Sequence, residues 1–304
     1  MWKFIFGISF VILLSFWALQ PLREPGFFPM HDDTQVGRVV VMGKALRNGQ
    51  FPVRWVRELG YGYGYPIFNF YGPLPYYVGG SLYALGLTGL AATKMMFVIG
   101  IVGAGIAMYL ATYPFVGYLG AMVASAFYLY APYHAVQIYV RGSVGEFWVL
   151  LFLPLIFFGL VQSCRGDRSG KAALTGAVGL SGTILSHTLL GYATAVFLTL
   201  SLIVYWLVRF IRKTLNVSLL ASHVSLLFIG LGFSAFFWLP AIFEFVYTNV
   251  QRQVGPTANY IDHFVCIGQL WNAPWGFGGS TAGCLDGISF KLGKLHVIGA
   301  LAGI

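Results

Sequence analysis

Long apolar segments with few charged residues are the feature of this sequence that most restricts its fold. Six of them lie at about residues 92–112, 117–133, 146–163, 172–187, 188–208 and 218–240. A run of about 20 apolar residues can cross the hydrocarbon core of a bilayer as a helix. Only 9% of the residues are charged, against about 25% in an ordinary soluble domain. The sequence therefore predicts an all-α fold, a polytopic transmembrane helix bundle.

Apolar runs at the two ends of the chain raise the predicted number of visible spans to about eight. Lys3 precedes an apolar run from Phe4 to about Leu19, which has the length of an uncleaved anchor and no small-residue cleavage site after it. A last apolar run stops at Ile304 before it completes a crossing. We therefore expect the natural chain to continue beyond Ile304.

Basic residues predict the orientation of the bundle, because short loops rich in Lys and Arg are cytoplasmic. Two such loops occur, at 164–171 and 209–214, and Lys3 marks the N-terminus. Residues 73–88 are apolar, but they are too short for a span and contain Pro and Gly, so we expect them to lie in the interface. With 73–88 in the interface, Lys3 and both basic loops fall together on the cytoplasmic side of the cell membrane.

This topology brings polar residues from distant parts of the sequence to the outer membrane face. We expect residues 1–304 to form one transmembrane domain, with a first outer loop and its interfacial helices at 21–91 and another outer loop at 241–294. Ionisable residues at membrane depth are costly and usually functional. Six are expected to converge there: Asp32, Asp33, Arg141, Glu146, His187 and Glu244. A catalytic cavity open to the outside explains this convergence.

The adjacent carboxylates of Asp32 and Asp33 are the candidate catalytic residues. A carboxylate fixed at a helix start can act as a general base, and two acids can hold Mg²⁺ or Mn²⁺, which prefer oxygen ligands. The alternative is structural, because Asp32 and Gln35 have the spacing of a capping box. Capping and catalysis are compatible.

Three arginines are candidate phosphate ligands, since the guanidinium fork matches phosphate geometry. Arg54 and Arg57 lie in the first outer loop, and Arg141 lies in a turn shared with Glu146. The alternative for Arg54 and Arg57 is snorkelling at the interface. For Arg141 the alternative is an ion pair with Glu146 alone.

His187 and Glu244 complete the set of candidate substrate-binding residues. Each lies at the predicted outer end of a span, where a structural hydrogen bond for His187 and a helix cap for Glu244 are the alternatives. The aromatic and glycine-rich stretch at 61–73 can stack on sugar rings or line an acyl groove. Cys266 and Cys284 share one loop, where a disulfide is an open alternative.

The net charge of +9 favours membrane lipids or a lipid-phosphate substrate as partners. No basic stripe or base-stacking motif accompanies this charge, so the sequence does not predict nucleic-acid binding.

Several motifs, in order, resemble a bacterial and archaeal integral-membrane family. They are HDD after the first span, NGQFPVRW, GYGYPIFNFYGPLPYY, YVRGSVGEF, SHTLLG and WLPAIFEF. Its members carry the description "6-pyruvoyl-tetrahydropterin synthase-related" and look like the GT-C superfamily of membrane glycosyltransferases. The six histidines are scattered, unlike the clustered zinc ligands of a soluble pterin synthase.

The GT-C resemblance implies transfer of a sugar, with inversion, from a polyprenyl-phosphate-linked donor to a glycan, lipid or protein acceptor. It implies that Asp32 is the base or, with Asp33, a metal ligand. Arg141 and one of Arg54 or Arg57 would hold the phosphate. The usual spaced acid pair is adjacent here, which leaves a Mg²⁺ or Mn²⁺ requirement open.

Two other classes of function compete with the enzyme. The first is a transporter or flippase for a lipid-linked or small polar substrate, and the second is a non-catalytic protein of envelope assembly. Transporters tend to show internal repeats and charges near the midplane of the membrane. The charges of this chain cluster at span ends on one side, which favours the enzyme.

Overall fold

The computed structural model describes residues 2–166, 170–249 and 259–303. Parts of two predicted loops, residues 167–169 and 250–258, lie outside this description. Within the described ranges the structure is helical without strands, which confirms the predicted all-α class. The helices are α1 (Trp2–Ala18), α2 (Gln35–Arg47), α3 (Ile67–Phe70), α4 (Leu74–Ala84), α5 (Gly89–Leu129), α6 (Pro132–Val136), α7 (Val144–Cys164), α8 (Lys171–Ser186), α9 (Thr188–Ile211), α10 (Val217–Glu244), α11 (Ile267–Trp271) and α12 (Lys294–Ala302).

Four helical segments of the described chain are long and apolar enough to cross a membrane. They are α5, α7, α9 and the segment Val217–Tyr247, which contains α10. α1 is apolar but has 17 residues, and α8 has 16. A helix of this length extends about 25 Å, less than the hydrocarbon thickness of about 30 Å. The structure therefore supports a polytopic membrane protein, but it does not confirm the predicted count of about eight spans.

α5 folds back on itself at Gly117. This residue has a φ of 69° and a ψ of −176°, a conformation that is open to glycine. Ser125 Oγ donates to the carbonyl oxygen of Gly105 at 3.1 Å, so the two arms lie side by side. The arm after Gly117 ends at Leu129 and extends only about 18 Å. It is shorter than the span predicted at 117–133.

The helices of the first loop pack closely on one another. α2 and α4 approach through two glycines: a Cβ on Gly43 would lie 2.6 Å from the carbonyl oxygen of Gly80. α4 has 11 residues and extends about 17 Å, so 73–88 does not form a span, as predicted. Among the largest buried side chains, Met42 and Tyr76 come from these helices, and Met96 and Phe97 come from α5.

The predicted basic loops lie at one end of the bundle. The Lys3 ammonium lies 5.4 Å from the ring of Tyr118, and the Arg165 guanidinium lies 4.3 Å from the ring of Phe115. Ser163 and Ser222 are hydrogen-bonded at 2.8 Å, which brings the start of α10 to the same end. The other end of α7 is about 30 Å away. It carries the candidate site.

The loop at 259–293 packs on the first loop. It contains a disulfide between Cys266 and Cys284. His31 Nε2 is hydrogen-bonded to the carbonyl oxygen of Phe277 at 2.8 Å. Ile288 packs in an apolar cluster with Val140. The predicted outer loops therefore lie at the same end of the bundle, opposite the basic loops.

Candidate functional site

An ion pair between Arg141 and Glu146 forms the centre of the site. Arg141 Nη2 lies 2.6 Å from Glu146 Oε1, and Nη1 donates to Oε2 at 2.7 Å, so the contact is bidentate. Gln137 Nε2 donates to the same Oε2 at 2.5 Å, and the Tyr133 hydroxyl donates to it at 3.1 Å. Gln137 Oε1 in turn accepts from Arg141 Nη1 at 3.0 Å. The ion pair with Glu146, which was the structural alternative for Arg141, is therefore present.

A π-helical turn at Gln137–Arg141 presents these side chains. Such turns are rare and occur frequently at functional sites. The turn ends at Gly142, whose φ of 62° is left-handed. A Cβ on Gly142 would lie 2.1 Å from the sulfur of Met30 and 3.2 Å from the carbonyl oxygen of Asp32. Glycine at this position lets the first loop lie directly against the turn.

Backbone hydrogen bonds join Asp32 to the same turn. The N–H of His31 donates to the carbonyl oxygen of Val140, and the N–H of Asp32 donates to that of Arg141, both at 2.9 Å. Asp32 is partly buried and Asp33 is exposed. Within the described ranges, neither carboxylate has a hydrogen-bond or ion-pair partner. The two acids are therefore available to a substrate or a cation.

The capping-box interpretation of Asp32 and Gln35 is wrong. α2 begins at Gln35 with Thr34 as its N-cap, and no side chain caps it. The Gln35 side chain is fully buried. Its Nε2 donates to the carbonyl oxygen of Gly142 at 2.7 Å, and its Oε1 accepts from the Tyr76 hydroxyl at 2.6 Å. These tertiary hydrogen bonds take the place of the local cap.

His187 joins the site from the junction of α8 and α9. Its Nδ1 accepts from the backbone N–H of Leu190 at 3.2 Å, which caps α9 and places the proton of the neutral ring on Nε2. A Cβ on Gly145 would lie 3.0 Å from Cδ2 of His187. Burial lowers the pKa of His187; the Glu146 carboxylate opposes this shift, and Arg141 adds to it. The structural role predicted as the alternative for His187 is thus present, and its ring also lies next to Glu146.

Arg54, Asn69 and Glu244 form a second polar cluster. Arg54 Nη2 donates to Glu244 Oε1 at 2.5 Å, and Arg54 Nε donates to Asn69 Oδ1 at 2.8 Å. Asn69 Nδ2 closes the cluster by donating to Glu244 Oε2 at 2.8 Å. One positive and one negative charge make the cluster neutral overall.

Residues 69–72 connect the two clusters. Asn69 belongs to the second cluster, and the carbonyl oxygen of Phe70 accepts from Thr188 Oγ1 at 2.7 Å. A Cβ on Gly72 would lie 2.1 Å from the carbonyl oxygen of Ser186, next to His187. The two clusters therefore lie side by side.

The structure does not bring Arg57 to either cluster. Its side chain is exposed and lines a separate recess with Asn48, Trp55 and Glu58. No ion pair of Arg57 occurs in the part of the chain that the structure describes.

Asp32 and Asp33 suit a Mg²⁺ or Mn²⁺ ion that is completed by substrate. Within the described residues, no group of three or more His, Cys, Asp or Glu side chains could hold a metal. Mg²⁺ in phosphate-processing sites is commonly bound by one or two carboxylates, substrate phosphates and water. Two unpaired adjacent carboxylates fit that pattern.

Sequence reasoning missed four polar residues of the site, Asn69, Tyr76, Tyr133 and Gln137, and it gave Gln35 a capping role. The contact of Gln137 with Arg141 could have been predicted, because Gln137 precedes Arg141 by one helical turn. Gln35, Asn69 and Tyr76 bond to partners far away in the sequence, for which no local pattern exists.

These features define an integral-membrane helical protein with a polar site at one end of its bundle. A family model described as the 6-pyruvoyl-tetrahydropterin synthase related domain, a membrane protein, matches residues 68–255. The chain belongs to this family. The matched range contains Arg141, Glu146, His187 and Glu244, whereas Asp32 and Asp33 precede it.

A similar protein occurs in Lactococcus lactis subsp. cremoris (strain MG1363), where it is described as an uncharacterized protein. The two are 25% identical over 247 residues, which are 79% of this chain and 40% of the relative. The chain therefore spans about two fifths of the length of this relative. No solved structure matches the chain.

Proposed function

We propose that this protein is a membrane glycosyltransferase. It transfers a sugar from a polyprenyl-phosphate-linked donor to an acceptor at the outer face of the cell membrane. The backbone hydrogen bond between Asp32 and Arg141 carries the proposal. This bond joins the main chain of Asp32, whose carboxylate is unpaired, to that of Arg141, whose guanidinium is held by Glu146. Transfer from a phosphate leaving group uses these two kinds of group, a base and a cation for the phosphate.

Asp32 is the general base of the proposed reaction. It removes the proton from the acceptor hydroxyl while the hydroxyl oxygen bonds to the anomeric carbon of the donor sugar. The bond from this carbon to the phosphate oxygen breaks, and the electron pair leaves with the polyprenyl phosphate. Attack opposite to the leaving group inverts the anomeric carbon.

Arg141 stabilises the departing phosphate. Glu146 and Gln137 fix one side of its guanidinium, which leaves N–H donors on the other side for phosphate oxygens. His187, beside Glu146, is a further donor to this charge in its neutral form through Nε2.

The charge balance favours a divalent cation. Glu146 already pairs with the guanidinium of Arg141, the neighbouring loop adds the carboxylates of Asp32 and Asp33, and a bound phosphate adds more negative charge. Asp32 and Asp33 would hold Mg²⁺ or Mn²⁺, which supplies charge neutralisation at the phosphate.

The outer location rests on the positive-inside rule. Lys3 and Arg165 lie at the end of the bundle opposite the site. If this basic end is cytoplasmic, the site faces outward.

The test uses the full-length protein in nanodiscs with a panel of polyprenyl-phosphate sugars, with and without Mg²⁺ or Mn²⁺. Sugar transfer and hydrolysis are both measured. Asp32→Asn keeps the shape of the side chain, and we expect it to lower turnover by about 10²- to 10⁴-fold. Asp262→Asn, in the 3₁₀ helix Tyr260–His263 of the other predicted outer loop, is the matched control and should retain turnover.

A comparison of arginine variants tests the phosphate site. Arg141→Lys loses the bidentate geometry and should raise the KM for the donor, whereas Arg57→Lys should leave it unchanged. Full turnover in Asp32→Asn would exclude Asp32 as the base. No turnover with any donor would contradict the enzyme and favour the transporter or the structural protein.

A further inference from the structure

A cleft lies beside the second polar cluster, apart from Asp32 and Arg141. It has a volume of about 490 Å³, and it is lined by Arg54, Trp55, Pro66, Asn69, Phe70, Glu244, Tyr247 and Thr248. An apolar groove of about 1100 Å³ shares several of these residues: Trp55, Pro66, Phe70, Tyr247 and Thr248. The two spaces are therefore contiguous, with one polar end and one apolar end.

The apolar groove opens between α9 and α10. Leu189 and Tyr192 of α9 line one wall, and Ala241 and Ile242 of α10 line the other. Both helices are apolar enough to cross a membrane, and Leu189 and Ile242 are exposed. An occupant of this groove enters from the bilayer and presents an alkyl or isoprenoid chain.

The polar end is suited to an uncharged head group rather than a phosphate. Arg54 is neutralised by Glu244, and their side chains remain 38% and 44% exposed, within reach of a ligand. A phosphate would meet the Glu244 carboxylate, and like charges at contact distance repel. The Arg141–Glu146 pair differs, because Asp32 and Asp33 of the adjoining loop would hold a divalent cation that offsets the phosphate charge, whereas no further carboxylate bonds to this cluster among the described residues. Hydroxyl groups can instead donate to the carboxylate and accept from the guanidinium.

Aromatic side chains form the walls of the polar end. The Trp55 ring packs on Gly64, where a Cβ would lie 2.1 Å from Nε1. Trp55 and Tyr247 are 50% and 85% exposed, although both belong to a cleft. Exposed aromatic faces beside paired hydrogen-bonding groups suit the apolar faces and hydroxyls of a sugar ring.

We propose that this cleft binds a glycolipid with an uncharged sugar head. The sugar contacts Arg54, Asn69 and Glu244, and the lipid chain lies in the groove between α9 and α10. Residues 69–72 place this site next to His187, which adjoins the helix start that carries Glu146. In the proposed reaction this glycolipid is the acceptor of the sugar. That role rests on the proposed function, whereas the binding of the glycolipid in the cleft does not.

The test maps binding with a photoreactive probe in the full-length protein in nanodiscs. The probe is an alkyl glucoside with a diazirine in its chain, and labelled residues are identified by mass spectrometry. We expect labelling at Leu189, Tyr192 and Ile242. Unlabelled alkyl glucoside should compete at least tenfold better than an alkyl phosphate of the same chain length.

Substitution of Glu244 tests the charge argument. Glu244→Gln keeps the shape and leaves Arg54 without its counter-charge, so we expect the preference to reverse in favour of the alkyl phosphate. Glu58→Gln is the control: this exposed glutamate of the first loop pairs with Lys44, so its substitution should leave the preference unchanged. A general folding defect would weaken both competitors and would not reverse their order.

Other outcomes overturn the proposal. These are labelling outside the groove, equal competition by glucoside and phosphate in the unmodified protein, and an unchanged preference in Glu244→Gln. Asp32→Asn should again lower sugar transfer by about 10²- to 10⁴-fold without changing the labelling. The glycolipid site and the proposed function can therefore fail separately.

Discussion

Asp32 and Arg141, which are far apart in the sequence, are joined by a backbone hydrogen bond of 2.9 Å. The bond joins main-chain atoms, so it occupies neither the Asp32 carboxylate nor the Arg141 guanidinium. Gln35 strengthens the junction from the next turn through Gly142. The main chain of Asp32 is thereby fixed relative to the turn that carries the Arg141–Glu146 pair, although helices α2 to α6 lie between the two residues in the sequence.

Replacement of Gln35 by Ala should loosen this junction. The substitution removes the acceptor of the buried Tyr76 hydroxyl proton. It also removes one donor to the carbonyl oxygen of Gly142, which keeps the N–H of Val144. An unsatisfied buried polar group costs about 1–3 kcal/mol, so we expect a lower unfolding temperature in detergent. Gln20→Ala, at an exposed position, should change stability by less than about 0.5 kcal/mol. Equal effects of the two substitutions would contradict the role of Gln35.

The helical class of the fold was predictable because long apolar segments are typical of helices that cross a membrane. The length of an apolar segment does not show whether the helix folds back on itself, as α5 does. Gly117 is one of several glycines in apolar sequence, and only its φ of 69° distinguishes it. The lengths of apolar runs therefore overestimated the span at 117–133.

The site was predictable where partners are close in sequence. Arg141 and Glu146 are five residues apart, and their pairing followed from one turn. Arg54 and Glu244 are 190 residues apart, so their direct contact had no local signature. For Gln35 the error is of the opposite kind. The sequence suggested a local capping interaction, but the side chain bonds to residues that are distant in the sequence.

Glycine at position 72 should be irreplaceable for steric reasons. A Cβ there would lie 2.1 Å from a backbone oxygen of Ser186, which cannot rotate away. We expect Gly72→Ala to destabilise the protein by at least about 2 kcal/mol. Gly37→Ala is the matched control: it lies in α2 with no atom within 4 Å of the new Cβ, so it should stabilise by up to about 1 kcal/mol. Thermal unfolding of both variants measures the difference, and a tolerated Gly72→Ala would contradict the close approach.

His134 should make stability fall in mild acid. It is 6% exposed, its Nε2 has no hydrogen-bond partner in the described structure, and burial lowers its pKa from 6.5 to about 4. Between these values the unfolded chain binds the proton and the folded chain does not, so stability decreases as pH falls from 6.5 to 4. The full effect at pH 4 is about 3 kcal/mol. Unfolding temperatures across this range should vary less in His134→Phe, and an equal slope would exclude His134 as the cause.

The cysteines allow a direct test of orientation. Cys164 is free and exposed at the basic end of the bundle, and Cys266 and Cys284 form a disulfide in the loop at the opposite end. If the basic end is cytoplasmic, a membrane-impermeant maleimide added to intact cells should not label Cys164 until the cells are permeabilised. An impermeant phosphine should expose Cys266 and Cys284 to the same reagent without permeabilisation. Cys164→Ser and the double variant Cys266→Ser/Cys284→Ser assign each signal. Labelling of Cys164 in intact cells would reverse the orientation and place the candidate site in the cytoplasm.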